Sequence, residues 1–251
     1  MTKLKRKNPK IALAQIKYFD KNKIHNLEKI KKFIGKAKKA GADIVCFPES
    51  CIHSNRNLRL DNYLIKQIRQ ECSLHKIWCI ITENIKFDDR AFNMAILIDR
   101  QGKIRGKYKK IHLYGDRTRP GRVSKVYDTD FGKIGIAVCW DLNFPQLFKN
   151  MKDKGAEIVF CPSQWWYMEE AHKDKPKNNE MKLLESMAMT RAFENLFYVA
   201  ICNPVMDEKY QVSFSAISSP HKIVKKVINK EGLIVSRVNL GEIKRLSKLY
   251  S

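Results

Sequence analysis

The sequence predicts an α/β fold in which two similar halves stack into a four-layer α-β-β-α sandwich. Short, almost wholly apolar strands alternate with segments of helical periodicity, a pattern typical of sheets that helices cover. A segment that ends a helix at a glycine and continues into a strand closed by proline occurs twice, at 37–49 and at 151–163. Two such halves are expected to pack sheet on sheet, with their helices outside.

The elements around this segment repeat in the same order. Predicted strands correspond as 10–15 with 133–138, 77–82 with 196–201, and 92–99 with 214–219. Helices are predicted at 26–40, 58–74, 146–154 and 181–194, and the apolar side chains of the first fall on one helical face. We expect a single domain over 1–251, with halves at about 10–115 and 131–240 and no linker between them.

The composition allows a full core but leaves the partner class open. Hydrophobic residues make up 44% of the chain, which excludes disorder. The formal net charge of +23, from 49 Lys and Arg against 26 Asp and Glu, invites a nucleic-acid interpretation. The lysines are nevertheless spread along the whole chain and match no nucleic-acid-binding motif. A solvated basic surface is the favoured interpretation, and nucleic acid is not an expected partner.

The cysteines and the N-terminal segment predict the compartment. The apolar run at 11–16 is too short for a signal-peptide core or a membrane span, so we expect a soluble, cytoplasmic protein without a membrane partner. Seven cysteines without tight pairing are expected to be free thiols. Cys46, Cys51 and His53 have the spacing of half a zinc site, but no second half follows, and no metal is expected.

Three side chains capable of chemistry stand where predicted strands end. Glu49 closes the strand at 44–47, Lys110 follows the strand after the turn at Gly102, and Cys139 closes the strand at 134–138. Active groups gather at the carboxyl ends of strands in α/β sheets. A carboxylate there can act as a general base, an ammonium can stabilise an oxyanion, and a thiolate is a nucleophile.

Each of these residues also has an ordinary structural interpretation. Cys139 lies before a predicted helix, for which Asn143 is the expected cap and Pro145 the first residue. The positive end of that helix favours the thiolate form of Cys139. A cysteine that ends an apolar strand is nevertheless more often a packed core residue. Glu49 is as well explained by capping a helix near Ser50, and Lys110 by simple surface exposure. His112 suggests a Cys-His dyad, but a histidine between apolar neighbours is more often structural.

Taken together, the motifs give a more specific indication. Phe47-Pro-Glu49, Tyr108-Lys-Lys-Ile-His-Leu113 and Gly132-Lys-Ile-Gly-Ile-Ala-Val-Cys-Trp-Asp141 occur in the order and approximate spacing of the nitrilase (carbon-nitrogen hydrolase) superfamily, which the chain resembles over nearly its whole length. The resemblance continues through 162–165, 191–195 and Asn203.

The resemblance implies an α-β-β-α sandwich that forms a homodimer or a higher homo-oligomer. It also implies a Glu-Lys-Cys triad, in which Glu49 is the general base, Lys110 stabilises the tetrahedral intermediate and Cys139 is the nucleophile. The backbone N–H of Trp140 would help to hold the oxyanion. Neither a metal nor an organic cofactor is expected.

The chain departs from the superfamily pattern in one respect. Many members carry a further glutamate between the lysine and cysteine motifs, and residues 111–138 contain none. Either Asp116 substitutes for it, or the pocket is built differently. Arginines of the same loop, at 117, 119 and 122, are candidates for holding a substrate carboxylate. Trp165 and Trp166 are candidate pocket walls, although a packing role explains them as well.

These features predict a cysteine-dependent hydrolase of non-peptide C–N bonds. An amidase or N-carbamoyl-amide hydrolase acting on a small linear substrate through a thioester is favoured over a nitrilase proper. The alternative from another class is a basic nucleic-acid-binding protein on a catalytically silent hydrolase scaffold. Steep salt dependence of nucleic-acid binding without hydrolysis would favour that alternative.

Overall fold

The computed structural model describes residues 8–19, 24–53, 57–206 and 210–250. The strands are Lys10–Gln15 (β1), Ile44–Cys46 (β2), Trp78–Phe87 (β3), Arg90–Ile98 (β4), Ile104–Lys109 (β5), Val126–Thr129 (β6), Gly132–Ile136 (β7), Ile158–Pro162 (β8), Tyr198–Cys202 (β9), Phe214–Ser219 (β10), Lys222–Ile228 (β11) and Gly232–Arg237 (β12). The helices are Leu27–Lys39 (α1), Tyr63–His75 (α2), Pro145–Asp153 (α3), Pro176–Asn195 (α4) and Leu240–Leu249 (α5), with short 3-10 helices at Cys139–Asn143 and Glu169–Ala171.

The strands form two six-stranded sheets with matching arrangements. The first has the order β12-β1-β2-β3-β4-β5, and the second has the order β6-β7-β8-β9-β10-β11. Strands β1, β2 and β3 are parallel, as are β7, β8 and β9, and every other neighbouring pair is antiparallel. Three parallel strands thus form the centre of each half.

The two faces of the first sheet belong to different cores. Ile11, Leu13 and Ile80 share a core with Ile134 and Phe160 of the second sheet. The alternate positions of the same strands pack instead with the apolar faces of α1 and α2. On the outer side of the second sheet, the side chain of α3 Met151 lies against β7, and α4 contacts β9 and β10. The predicted four-layer α-β-β-α sandwich of two similar halves is therefore confirmed.

Most element bounds agree with the sequence prediction, with instructive exceptions. β1 and β10 have the predicted ends, whereas α2 begins at Tyr63 rather than at 58, because the Asn62 side chain accepts the Leu64 N–H and caps the helix there. The prediction that Asn143 caps α3 is wrong. Asn143 ends the preceding 3-10 helix, and Phe144 occupies the cap position, with Pro145 as the first helical residue as expected.

All seven cysteines are free and buried. Across the described ranges, none of the helices combines the length and the apolar character needed to cross a membrane.

Candidate active site

The carboxyl ends of several central strands meet around one cavity of about 350 Å³. Its lining includes Glu49 after β2, Lys110 after β5, Cys139 after β7 and Gln164 after β8. The structure therefore brings together the three residues that the motifs singled out, although they are up to 90 positions apart in sequence. Parallel strands place their carboxyl ends at one edge of a sheet, which is why the loops converge here.

Glu49 is a buried carboxylate with three hydrogen-bond donors. Its Oε1 accepts from Lys110 Nζ at 2.9 Å and from Asn93 Nδ2 at 2.6 Å, and its Oε2 accepts from the Gln164 backbone N–H at 3.0 Å. The Tyr18 hydroxyl donates to the Glu49 carbonyl oxygen and fixes the backbone. Burying a charge requires such compensation, and these donors define the direction in which the carboxylate faces. No helix begins at Ser50, so Glu49 is not a helix cap.

Lys110 lies between two carboxylates rather than on the surface. Its Nζ donates to Glu49 Oε1 at 2.9 Å and to Asp116 Oδ2 at 2.8 Å. Burial acts to lower the pKa of Lys110, but the charges of Glu49 and Asp116 outweigh it and raise that pKa, so the ammonium stays charged. Within the described part of the chain these carboxylates engage two of its three N–H groups, which leaves one for a ligand in the cavity.

Asp116 supplies the second carboxylate of the site. Its Oδ1 accepts from Asn93 Nδ2 at 3.0 Å, and its Oδ2 accepts from the Tyr114 N–H at 3.1 Å in addition to Lys110. Gly115, at φ +67°, makes the turn that directs the aspartate back toward the lysine. The segment 111–138 lacks a glutamate, but Asp116, whose side chain is shorter, places a carboxylate against Lys110.

Cys139 occupies a strained turn at the end of β7. Its φ of +48° is unusual for a residue with a Cβ, and it starts the 3-10 helix. Burial and the charge of Glu49 raise the pKa of the Cys139 thiol well above its usual value, and Lys110 and the Gln164 N–H counteract them only in part. The expectation that a helix N-terminus shifts this thiol toward thiolate is therefore wrong. The thiol is neutral near pH 7 and needs a base when it reacts.

The buried carboxylate of Asp141 holds the turn that carries Cys139. Its Oδ2 accepts from the Val138 N–H at 2.9 Å and from the Tyr108 hydroxyl at 2.7 Å. Its Oδ1 accepts from the His112 N–H and lies 2.9 Å from His112 Nδ1. His112 accordingly has a structural partner, and it does not line the cavity that contains Cys139.

Aromatic side chains form one wall of the cavity. Trp165 is buried and donates its indole N–H to Glu180 Oε1 at 2.6 Å, whereas Trp166 is 39% exposed. Trp140 stacks on Tyr114 with 4.2 Å between ring centroids. Both tryptophans predicted as walls line the cavity, and Trp140 and Tyr114 join them.

The arginines of the 115–122 loop separate into two groups. Arg117 lines the cavity beside Cys139. Arg119 and Arg122 line a different groove, on the other side of the loop. The hypothesis that all three hold a substrate carboxylate is therefore wrong for Arg119 and Arg122, which do not line the cavity that contains Cys139.

Sequence reasoning missed Asn93, which donates to both Glu49 and Asp116. A signal existed, because Asn93 interrupts the apolar residues 91–98 of β4, and asparagine is depleted in strands. Its partners could not be deduced without the pairing of β4 with its neighbours. Gln164 was also missed, since it contributes through its backbone N–H.

No group of three or more His, Cys, Asp or Glu side chains is arranged to hold a metal ion in residues 8–19, 24–53, 57–206 and 210–250. Cys46, Cys51 and His53 do not form such a group. At the cavity, the position between the two carboxylates is taken by the Lys110 ammonium.

A four-layer sandwich with a buried cysteine, a carboxylate and an ammonium around one cavity has the features of an enzyme that acts on small molecules. The chain belongs to the carbon-nitrogen hydrolase family, whose model matches residues 10–248. The resemblance to the nitrilase superfamily is thereby confirmed, and the protein is a carbon-nitrogen hydrolase.

Several of the named relatives are amidases. The chain is 26% identical to the omega-amidase NIT3 of Saccharomyces cerevisiae over 269 residues, which cover 93% of this chain and 84% of the relative. It is 30% identical to the deaminated glutathione amidase of Dictyostelium discoideum, over 79% of this chain and 74% of that one. The fold also matches the carbon-nitrogen hydrolase from Helicobacter pylori G27 with a TM-score of 0.86 and 20% identity, over 96% of this chain and 93% of that one.

Proposed function

We propose that this enzyme hydrolyses the C–N bond of a small linear amide or carbamoyl compound, with Cys139 as nucleophile, Glu49 as general base and Lys110 as oxyanion partner. One observation carries the proposal: the three side chains line the same cavity, and Lys110 is bound to Glu49 at 2.9 Å. A neutral nucleophile, a base and a fixed positive charge are the groups that acyl transfer requires.

The first half of the reaction forms a thioester. Glu49 takes the thiol proton as Cys139 Sγ attacks the carbonyl carbon, and the developing oxyanion is held by the remaining Lys110 N–H and the Trp140 backbone N–H. The intermediate collapses when the C–N bond breaks, and Glu49 returns the proton to the departing nitrogen. Ammonia or an amine leaves, and the acyl group stays on Cys139.

The second half releases the acid. Glu49, again ionised, takes a proton from water as the water oxygen attacks the thioester carbonyl, and the same donors hold the oxyanion. The C–S bond breaks and the Cys139 thiolate recovers the proton from Glu49. Asp116 holds Lys110 in place, and in this way it substitutes for the further glutamate that many superfamily members carry.

Aromatic and cationic groups define the substrate side of the cavity. The Trp165 and Trp166 side chains, with Trp140, offer an apolar wall for a short carbon chain, and Arg117 offers a charge for a substrate carboxylate.

The seven free thiols suit a reducing compartment, so a cytoplasmic location is part of the proposal. The single domain over 1–251 and the homodimer or higher homo-oligomer stay predictions, and light scattering after gel filtration checks the latter.

The test is a screen of primary amides, carbamoyl compounds and nitriles for ammonia release by wild type and by Cys139→Ala. The proposal expects release from at least one amide or carbamoyl compound, reduced by about 10⁴-fold or more in the variant. Hydrolysis confined to nitriles would identify a nitrilase proper. Full activity in Cys139→Ala would show that the nucleophile is wrong.

A second candidate function, nucleic-acid binding, is favoured by one specific feature. A groove of about 850 Å³, separate from the cavity that contains Cys139, is lined by several cations, and none of the described residues that line it is acidic. The cations are Arg90, Lys107, Lys109, Arg119, Arg122 and Lys125, and Phe87 and Phe92 lie among them. Cations beside aromatic rings are typical of surfaces that bind single-stranded nucleic acid.

Charge-reversal variants distinguish binding in this groove from an effect of the overall charge. Lys107→Glu, Lys109→Glu and Lys125→Glu are combined in one protein, and Lys32→Glu, Lys39→Glu and Lys66→Glu on α1 and α2 give a control with the same net charge. Groove binding predicts that the affinity for a labelled single-stranded oligonucleotide falls about tenfold or more only in the first protein. Equal losses in both, or undetectable binding by wild type, would remove this candidate.

A further inference from the structure

The groove that is separate from the Cys139 cavity collects positive charge without compensation. We call it the basic groove, and five of the cations that line it have no ion-pair partner among the acidic side chains that the structure describes: Lys107, Lys109, Arg119, Arg122 and Lys125. Elsewhere a cation finds such partners, as Arg100 does with Asp43 and Asp130. Like charges around one concave surface repel one another, so an anion in this groove would be strongly favoured.

The charged groups of the basic groove are accessible to a ligand. Four of the five side chains are exposed, and the fifth, Lys109, is half-buried. The Lys109 Nζ lies 3.4 Å from the centroid of the Phe92 ring and 5.3 Å from that of Phe87, and these cation–π contacts hold the ammonium in the groove. Burial and the charges of Lys107 and Lys125 lower the pKa of Lys109. A bound anion would relieve that repulsion.

The arrangement of the cations favours linked phosphate groups over stacked bases. The Lys109 ammonium already occupies one face of the Phe92 ring, which leaves less aromatic surface for a base. Lys107 and Lys109 are alternate residues of the edge strand β5 and share one face, whereas the other cations lie on the chain that follows β5. One phosphate carries about two negative charges, so several phosphates are needed to match five unpaired cations.

The chain that borders the basic groove also contributes to the active site. The Gly121 N–H donates to the Lys110 carbonyl oxygen at 2.7 Å, and a Cβ at this position would collide with the Lys109 carbonyl oxygen, so the close approach requires glycine. The same loop carries Asp116, which binds Lys110 Nζ at 2.8 Å, and Arg117, which lines the Cys139 cavity. A movement of the loop at the groove therefore reaches Lys110.

We propose that the basic groove is an effector site for a small molecule with two or more linked phosphate groups, and that its occupancy is coupled to the active site through the 115–122 loop. The anion draws the cations of the loop toward those of β5, against the repulsion that separates them in the empty groove. The loop then holds Asp116 against Lys110 more firmly. This inference goes beyond the proposed function, and only its activity measurement rests on that function.

Tripolyphosphate is the probe for the site. Its affinity is measured by isothermal titration calorimetry at one ionic strength, which chloride keeps constant because salt screens such contacts. The groove variant combines Lys107→Gln, Lys109→Gln and Lys125→Gln. A control variant with the same net charge combines Lys32→Gln, Lys39→Gln and Lys66→Gln, at exposed positions of α1 and α2. The affinity should fall about tenfold or more in the groove variant and stay at the wild-type value in the control.

Coupling is measured in the same three proteins. Saturating tripolyphosphate should raise kcat/KM for amide hydrolysis by about fivefold or more in wild type and in the control variant, and should leave it unchanged in the groove variant. Backbone hydrogen exchange over 115–122 should slow in wild type under the same conditions, because the bound anion holds the loop in place. This second measurement needs no substrate.

Three outcomes would overturn the inference. Equal losses of affinity in the groove and control variants would show an effect of overall charge, and binding that left kcat/KM unchanged would show a site without coupling. Absence of saturable tripolyphosphate binding to wild type, with an oligonucleotide bound in its place, would instead support the second candidate function. Failure of the proposed function is distinguishable, since wild type would then hydrolyse no amide while calorimetry and hydrogen exchange still reported binding at the groove.

Discussion

At the scale of single residues, the active site combines a neutral thiol with charges that act on it in opposite directions. Burial and Glu49 raise the pKa of Cys139, while Lys110 lowers it. A thiol kept protonated is protected from chance alkylation and oxidation, since the thiolate is the reactive form. In the proposed mechanism, it becomes a nucleophile only when Glu49 takes its proton beside a bound substrate.

This balance predicts opposite effects of two substitutions on the pH dependence of alkylation. Glu49→Gln removes a negative charge and should lower the pH at which Cys139 reacts with iodoacetamide, whereas Lys110→Met removes a positive charge and should raise it. Peptide mass mapping measures the rate at each pH. The other six cysteines are fully buried, so Cys139 is expected to react first.

Both substitutions should nevertheless reduce amide hydrolysis, by about 10²-fold or more, because each removes a group that the proposed mechanism needs. Glu242→Gln on α5 is the control and should change neither measurement. Alkylation profiles that moved in the same direction in the two variants would contradict the electrostatic account.

The residues of the site differ in how well the sequence predicts them. Cys139, Glu49 and Lys110 stand at strand ends within recognisable motifs, so a linear pattern is enough to nominate them. Asn93 and Asp141 act through side chains that meet only after the sheets form, with β4 pairing β3 and β5. The raised pKa of Cys139 depends on burial, which local sequence does not reveal.

At the scale of elements, the segment after β2 is held by a buried carboxylate on the outer face of the first sheet. Glu83 Oε2 accepts from the Ile52 and His53 N–H groups, both at 3.0 Å, and Oε1 accepts from the Asn84 N–H. Burial raises the pKa of Glu83 to about 7, against an ordinary value of 4.5, and its backbone donors counteract only part of the shift. The loop that carries Glu49 thus depends on a group that titrates near neutrality.

Glu83 should make the stability of the protein depend on pH. The folded state binds this proton more tightly than the unfolded state, so the contribution to the free energy of unfolding is largest below about pH 4.5 and is lost as the pH rises through about 7. The loss is on the order of 3 kcal/mol. Urea denaturation between pH 5 and pH 8 measures it, and Glu83→Gln should flatten the dependence. An unchanged slope in the variant would show that Glu83 does not titrate in this range.

Glu180, near the N-terminal end of α4, positions the aromatic wall. Glu180 accepts the Trp165 indole N–H at 2.6 Å, and its other oxygen lies 2.7 Å from His172 Nε2. Glu180→Ala should let the indole move and raise KM about tenfold with little change in kcat, whereas Glu180→Gln, which keeps an acceptor, should preserve most of the affinity. Steady-state kinetics on the identified substrate checks this. Equal loss of kcat in both variants would contradict a wall-positioning role.

The ends of helices and strands could be predicted from the sequence where local chemistry sets them, and less well elsewhere. Gly41 and the apolar face of α1 are enough to predict that helix from the sequence. The two extra N-terminal residues of strand β4 and the long helix α4, which begins at Pro176 instead of 181, are set by tertiary packing. A helix as weakly amphipathic as α4 gives little periodic signal at its start.

At the scale of the whole molecule, we expect the core between the two sheets to join the halves into one cooperative unit. Phe160 of β8 is fully buried in this core with side chains of β1, β2 and β3. Phe160→Ala should lower the free energy of unfolding by about 3–5 kcal/mol. Far-UV circular dichroism and tryptophan fluorescence should report one coincident transition before and after the change. Two separate transitions, one of them unaffected, would contradict the single-domain prediction.

The central claim is that catalysis passes through an acyl group on Cys139. Its most direct test is acid quenching of the enzyme during turnover of the identified substrate, followed by intact-mass measurement and peptide mapping. The account predicts a mass increase equal to the acyl group, located on Cys139 and absent in Cys139→Ala. An acyl adduct on another cysteine, with Cys139 unmodified, would contradict it.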